Sequence, residues 1–373
     1  MARRLIGLPL AAVGLTCAGY AQVPDLLNAL DAGGRAMGAG GSFYVTGADT
    51  LSTFYNPAGI GFLNTPQFGA AYRNLPQSQT RISGNTADPV YDSIGRRGSS
   101  QVSHLGYTMP LRGGRNGVLG FSYTIGGYLN DSLSGSTTSG SITTNRTLSR
   151  EAKAEYYTLA FGKAKSDSSF SFGFGLQFIQ QHISYNLNQN DSNGGTDIRN
   201  DESTGTGVAL IVGLQSTPKG HPNTSFGISY RSEANLSGNS RTANLYDKVP
   251  ARLMAGLAFR QDGLRGGRDF LVYGLQLQHF FSANEGSDFD RGNQTVANLG
   301  VEYNFSYGSG RVPLRLGYAV VPAGGNGFGS RNTFTFGLGY RPGDSRYAFD
   351  LNFAQPQHGG YDVAIGLNYK FSK

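Results

Sequence analysis

Fourteen stretches of this chain alternate apolar residues with small or polar ones, and that period of two decides what the chain can fold into. Phe170, Phe172, Phe174, Leu176 and Phe178 alternate with Ser171, Gly173, Gly175 and Gln177. A helix would scatter those rings around its axis, whereas a strand puts them on one face. The pattern occurs at 67–73, 101–111, 116–127, 152–164, 168–180, 204–216, 223–232, 251–260, 268–282, 295–305, 311–319, 330–342, 345–354 and 360–371. Connections of 27, 24, 23, 18, 12 and 10 residues alternate with connections of 4, 3, 6, 7, 5 and 2. Short turns at one end and long loops at the other are the layout of an outer-membrane barrel, whose strands need roughly 9 to 11 residues to cross the hydrocarbon. Lipid offers no partner for a free backbone group, so the sheet must close. The expectation is an all-β fold, a transmembrane antiparallel β-barrel of about 14 strands.

Composition assigns the faces. Only 15% of residues are charged and Trp is absent, while Gly numbers 56, Tyr 21 and Phe 23. In a soluble sandwich the outer face would carry charge. Here the non-apolar face is Gly, Ser, Thr, Asn and Gln, which suits a polar lumen, and the Phe, Tyr and Leu face suits lipid. Tyr107, Tyr156, Tyr230, Tyr340 and Tyr369, near strand ends, are expected in the interfacial girdles. The lumen then carries Arg73, Arg231, Arg260, Arg311, Arg315, Arg341 and Lys370 against Glu302 and Asp350, a net cationic interior.

Residues 1–21 read as an export signal: Arg3 and Arg4, an apolar Leu5 to Ala18, then Gly19-Tyr20-Ala21. Cys17, the single cysteine, falls inside it, so the mature chain from Gln22 has no disulfide or thiolate metal site. Loss of the two arginines lowers the formal charge from +7 to +5, and no basic run suggests nucleic acid as a partner. Near the C-terminus, Gly366, Tyr369 and Phe371 resemble the insertion signal read by the outer-membrane assembly machinery. Location in the outer membrane of a diderm bacterium follows, with both termini periplasmic and membrane lipids as partners.

Residues 22–66 break the period. Asp25 to Leu30 reads as a short helix, Gly33 to Gly41 is glycine-rich, and Asp49 caps a turn over Thr50 to Tyr55 before Asn56-Pro57-Ala58-Gly59. The run from Gly34-Arg35-Ala36-Met37-Gly38 through Gly47-Ala48-Asp49 to Asn56-Pro57-Ala58-Gly59 resembles the N-terminal hatch of the FadL/TodX family of outer-membrane transporters. That resemblance implies a fourteen-stranded barrel, 67–373, plugged by a small helical hatch, 22–66, with Asn56, Pro57 and Ala58 as hatch and gating residues. It implies passive diffusion of hydrophobic or amphipathic compounds such as long-chain fatty acids or aromatic hydrocarbons. PorV-like barrels, which serve protein secretion or surface attachment, share the N-terminal pattern and stand as the alternative.

Signatures of enzymes are missing: no Gly-x-Ser-x-Gly, no His-Glu-x-x-His and no phosphate-binding loop. No cofactor or metal is expected, and the amide-rich 186–202 reads as a solvated external loop. His104 faces the lumen and is the one candidate base for a barrel lipid hydrolase, a third alternative. The candidate lumen ligands are Arg315, Arg73, Arg231, Asp350 and His104, with Arg315 the preferred partner for an acidic head group.

Overall fold

The computed structural model describes residues 32–81, 93–96, 98–114, 116–237, 248–283, 292–322, 332–344, 346–356 and 360–371. The segment read as an export signal and the helix expected over Asp25 to Leu30 lie outside these residues.

Fourteen strands make the wall: β1 Gln67–Leu75, β2 Ser99–Pro110, β3 Val118–Ser139, β4 Ile142–Ala164, β5 Phe170–Asp191, β6 Thr196–Ser216 and β7 Thr224–Arg231. They continue as β8 Arg252–Leu264, β9 Asp269–Phe280, β10 Gln294–Tyr307, β11 Gly310–Val320, β12 Thr333–Tyr340, β13 Tyr347–Pro356 and β14 Asp362–Lys370. Each pairs antiparallel with its sequence neighbours, and β1 closes the ring on β14, from Gln67 opposite Lys370 to Asn74 opposite Val363. Large apolar side chains stand on the outside of every strand, among them Phe174 at 54% exposure and Leu210 at 60%. A continuous apolar belt of that extent is stable only against lipid.

Two features differ from the reading of the sequence. The 24- and 23-residue connections expected after 127 and 180 are not loops: β3 with β4, and β5 with β6, pair without interruption to tips at 140–141 and 192–195. A strand of 22 residues spans roughly 70 Å, so these hairpins project well beyond the hydrocarbon. Their outer halves are rich in Ser, Thr, Asn, Gln and charged residues on both faces, with Leu and Ile only scattered among them, so they pair as strands without the regular apolar alternation that would reveal them. Segment 186–202 belongs mostly to this projection. Tyr156 is the second correction: it points inward and is fully buried, because it shares its strand face with Ala154, Thr158 and Ala160. The other four tyrosines are exposed on the outer face.

Among the described residues the wall opens between β2 and β3. β2 and β3 pair only from His104 opposite Thr124 to Pro110 opposite Val118. Beyond that, 99–103 of β2 pairs with β1 and 125–130 of β3 pairs with β4, with no pairing across until 93–96 takes up 131–134 of β3. Register shifts flank the opening, at Ser103 on β2 and near Gly126 on β3.

The described part of the N-terminal segment, 32–66, lies inside the wall: helix α1 Gly34–Gly38, helix α2 Ser52–Tyr55 and a 3₁₀ turn Pro57–Phe62. A belt of inward glycines receives it. Gly69 is paired with Gly106, Gly162 with Gly173, Gly173 with Gly213, Gly227 with Gly256, Gly274 with Gly300 and Gly300 with Gly317. The hatch backbone presses on these positions, Ala39 and Gly40 on Gly300 and Gly317, and Pro57 and Ala58 on Gly173. A side chain at any of them would occupy the space of the hatch, which is why the lumenal face is so rich in glycine.

Candidate functional site

Asn56, Pro57 and Ala58 hold the hatch to the wall. Asn56 is fully buried; its Oδ1 accepts from the Ala58 N–H at 3.2 Å, capping the 3₁₀ turn that Pro57 begins. Its Nδ2 donates to the Val45 carbonyl at 2.7 Å and to the Leu214 carbonyl of β6 at 3.2 Å. The Ala58 carbonyl accepts from Ser171 Oγ at 2.7 Å. Lumenal amides and hydroxyls add further ties: Asn298 and Thr335 bond Gly40, Gln276 bonds Val45, and Ser229 bonds Tyr55.

On the short-turn side of the hatch an ion chain crosses from plug to wall. Arg35 of α1 places Nε and Nη2 each 2.7 Å from the Glu302 carboxylate. Arg315 Nε donates to the same carboxylate at 2.6 Å while its Nη1 lies 2.7 Å from Asp350, and Asp350 also receives Arg341 Nη2 at 2.8 Å. Arg315 does point inward, but it is not the open head-group ligand expected of it. Its side chain is fully buried between two carboxylates that already neutralise it. Asp350 is likewise committed between Arg315 and Arg341. Arg73 is also enclosed, ion-paired with Asp362 of β14. Near the chain, burial raises the pKa of Asp49 in the hatch, against the opposing pull of Arg35 and of the Leu51 N–H that it accepts.

Arg231 is different. It is buried, donates through Nη2 to the Pro250 carbonyl at 2.8 Å and through Nη1 to Tyr156 Oη at 3.2 Å, and lies 5.4 Å from the centre of the Tyr156 ring. Beside it stands Arg252, buried, with its guanidinium 5.2 Å from the ring centres of both Phe54 and Tyr55. Among the described residues no carboxylate pairs with either. Around them are Tyr44 stacked on Tyr55, Met254, Ile179 and Ile183. Tyr156 and Phe54 both reach Gly126, at the edge of the seam between β2 and β3. Arg252 was missed in the sequence, although its alternation with Leu253 puts it on the lumenal face.

His104 is buried, with Nε2 3.2 Å from Thr50 Oγ1 of the hatch and Nδ1 2.9 Å from Thr124 Oγ1 of β3. Both ring nitrogens are engaged by threonines. The neighbouring Ser103 donates to the Ala32 carbonyl and is not in hydrogen-bond contact with the ring.

No family model matches the sequence, and neither does any characterised relative. The fold does find relatives. The toluene transporter TodX of P. putida aligns with a TM-score of 0.60 at 15% identity, over 91% of this chain and 98% of that one. A Pseudomonas aeruginosa FadL homologue aligns at 0.55 and 15% identity, over 95% and 100%. The Ralstonia pickettii toluene transporter TbuX aligns at 0.54 and 14%, over 90% and 97%. The alignments run nearly end to end on both chains, and this closed wall of fourteen antiparallel strands has the fold of the FadL- and TodX-type transporters.

Proposed function

We propose that this protein is an outer-membrane channel through which hydrophobic and amphipathic compounds diffuse passively, and that it favours those with a carboxylate. The Arg231–Arg252 pair carries the reading. Two buried guanidiniums side by side repel each other, and a buried charge without a counterion is destabilised by several kcal/mol. A carboxylate between them would relieve both through charge-assisted hydrogen bonds, while Phe54, Tyr55 and Tyr156 accept the apolar body. The solute leaves sideways through the seam between 99–103 and 125–130, which begins beside Tyr156 and Phe54. This route leaves the hatch in its seat. Residues 1–21 direct export, 22–66 form the hatch, and both termini lie at the short-turn, periplasmic end; Gly366, Tyr369 and Phe371 engage the assembly machinery.

Uptake into proteoliposomes tests the reading. Arg231→Gln with Arg252→Gln should slow entry of decanoate while sparing 1-decanol. Equal slowing of both solutes would reduce the arginines to a structural role, and no uptake of either by the native protein would remove the channel itself.

A further inference from the structure

On the short-turn side of the hatch, away from the Arg231–Arg252 layer, a cavity of about 800 Å³ opens between the plug and the wall. That is the size of an ordinary small-molecule pocket. Its walls carry the cations Arg35, Arg260, Arg311, Arg341 and Lys370 against the carboxylates Asp49, Glu302 and Asp350. Glu302 and Asp350 are consumed by the ion chain, where they also neutralise Arg315. Positive charge is left over beside the ion chain, on Arg260 of β8 and on Arg311, which shares β11 with Arg315 and is bonded through its backbone to Arg341. The guanidiniums of Arg260 and Arg311 both lie against Phe270, 3.9 Å and 4.8 Å from its ring centre. Arg260 also meets Asp262, at the surface; Arg311 has no ion pair among the described residues. The cavity borders the turns at Pro222, Ser309 and Pro342, so it is reached from the short-turn mouth.

We propose that this vestibule is a second ligand site, separate from the upper arginine layer, that binds a planar organic carboxylate arriving from the short-turn side. Two features of its chemistry select that ligand. A guanidinium presents a planar fork that matches a carboxylate, and its face stacks on flat apolar groups. Phe270 holds two such forks at the cavity wall, and Phe43 of the hatch, 5.0 Å from the Arg35 guanidinium, supplies an aromatic surface from the plug. A carboxylate bound there faces the exposed side of Arg35, the residue that ties α1 to Glu302.

The proposal goes beyond the transport reading and does not depend on it. The probe is 6-bromo-2-naphthoate, bound to the full-length protein in detergent, with its affinity measured by calorimetry and the bromine located by anomalous diffraction. The bromine is expected in the vestibule beside Phe270. Arg260→Gln with Arg311→Gln should weaken binding there at least about tenfold, the loss of a charge-assisted hydrogen bond. Arg231→Gln with Arg252→Gln should leave that bromine position occupied. Bromine found only in the upper layer or nowhere, or an unchanged affinity in the vestibule double variant, would overturn the second site. Uptake of decanoate, measured in parallel, separates the two ideas: failed uptake with an occupied vestibule counts against transport alone, and sustained uptake with an empty vestibule counts against this proposal alone.

Discussion

Replacing Gly317 by alanine should loosen the hatch without unfolding the wall. Gly317 stands on the lumenal face of β11, where the hatch backbone crosses it. A Cβ there would lie 2.7 Å from Gly40 Cα and nearer still to the Gly40 nitrogen and the Ala39 carbonyl carbon, all backbone atoms that no rotamer change can move aside. To restore ordinary contact with the nearest of these atoms, the hatch must retreat by more than about 1 Å. That retreat strains the bonds holding Gly40, from its N–H to Thr335 Oγ1 at 2.8 Å and from Asn298 Nδ2 to its carbonyl at 2.6 Å. Overpacking of this kind is destabilising by about 1–3 kcal/mol, which raises the population of the displaced hatch roughly 5- to 150-fold. The assay is leakage of a small sugar from proteoliposomes, with heat-modifiable electrophoretic mobility reporting the intact barrel. Gly220→Ala, where a Cβ meets nothing within 4 Å, is the control. Leakage of the Gly317 variant no greater than that of the native protein and the control would refute the seat of the hatch described above.

Two other outcomes follow from the hatch. Asn56→Ala removes a turn cap and two amide bonds, leaving the Val45 and Leu214 carbonyls without their donor, a loss of about 1–3 kcal/mol; hydrogen exchange at 52–62 should speed up while that of β9 to β11 stays slow. Asp49 gives the hatch a pH dependence. Its pKa is raised by burial, so it binds a proton more tightly docked than undocked; docking is strongest in acid and weakens as pH rises from about 4 through the raised value. Leakage should therefore rise with pH across that window, and Asp49→Asn, which keeps an acceptor for the Leu51 N–H, should flatten the rise; identical slopes in both proteins would exclude Asp49 as the origin.

The wall was legible because one side of every strand meets lipid, so the apolar period survives in each of the fourteen segments. Where both faces of a strand meet water, as in the outer halves of β3 to β6, that signal vanishes although the pairing continues. Tyr156 was misplaced because a tyrosine near a strand end suggests an interface, whereas its alternation with Tyr157 and Glu155 already put it inside. The inward direction of Arg315 was readable from Leu314 and Leu316; its enclosure was not, because Asp350 and the Arg35 that shares Glu302 come from distant parts of the chain. The glycine belt was visible as a composition, and its purpose appears only when the hatch is seen resting on it.

The central claim is that solute passes through the side seam while the hatch stays seated, and a lock on the hatch tests it. Thr53 Oγ1 of the plug lies 2.7 Å from Ser122 Oγ of β3, so cysteines at these two positions are placed to form a disulfide. Cys17 is the one cysteine of the sequence, so its replacement by serine leaves the engineered pair without a competitor. Decanoate uptake into proteoliposomes should be the same for the oxidised and the reduced Thr53→Cys, Ser122→Cys protein. Uptake abolished by oxidation and restored by reductant would contradict the account and send the solute through the hatch.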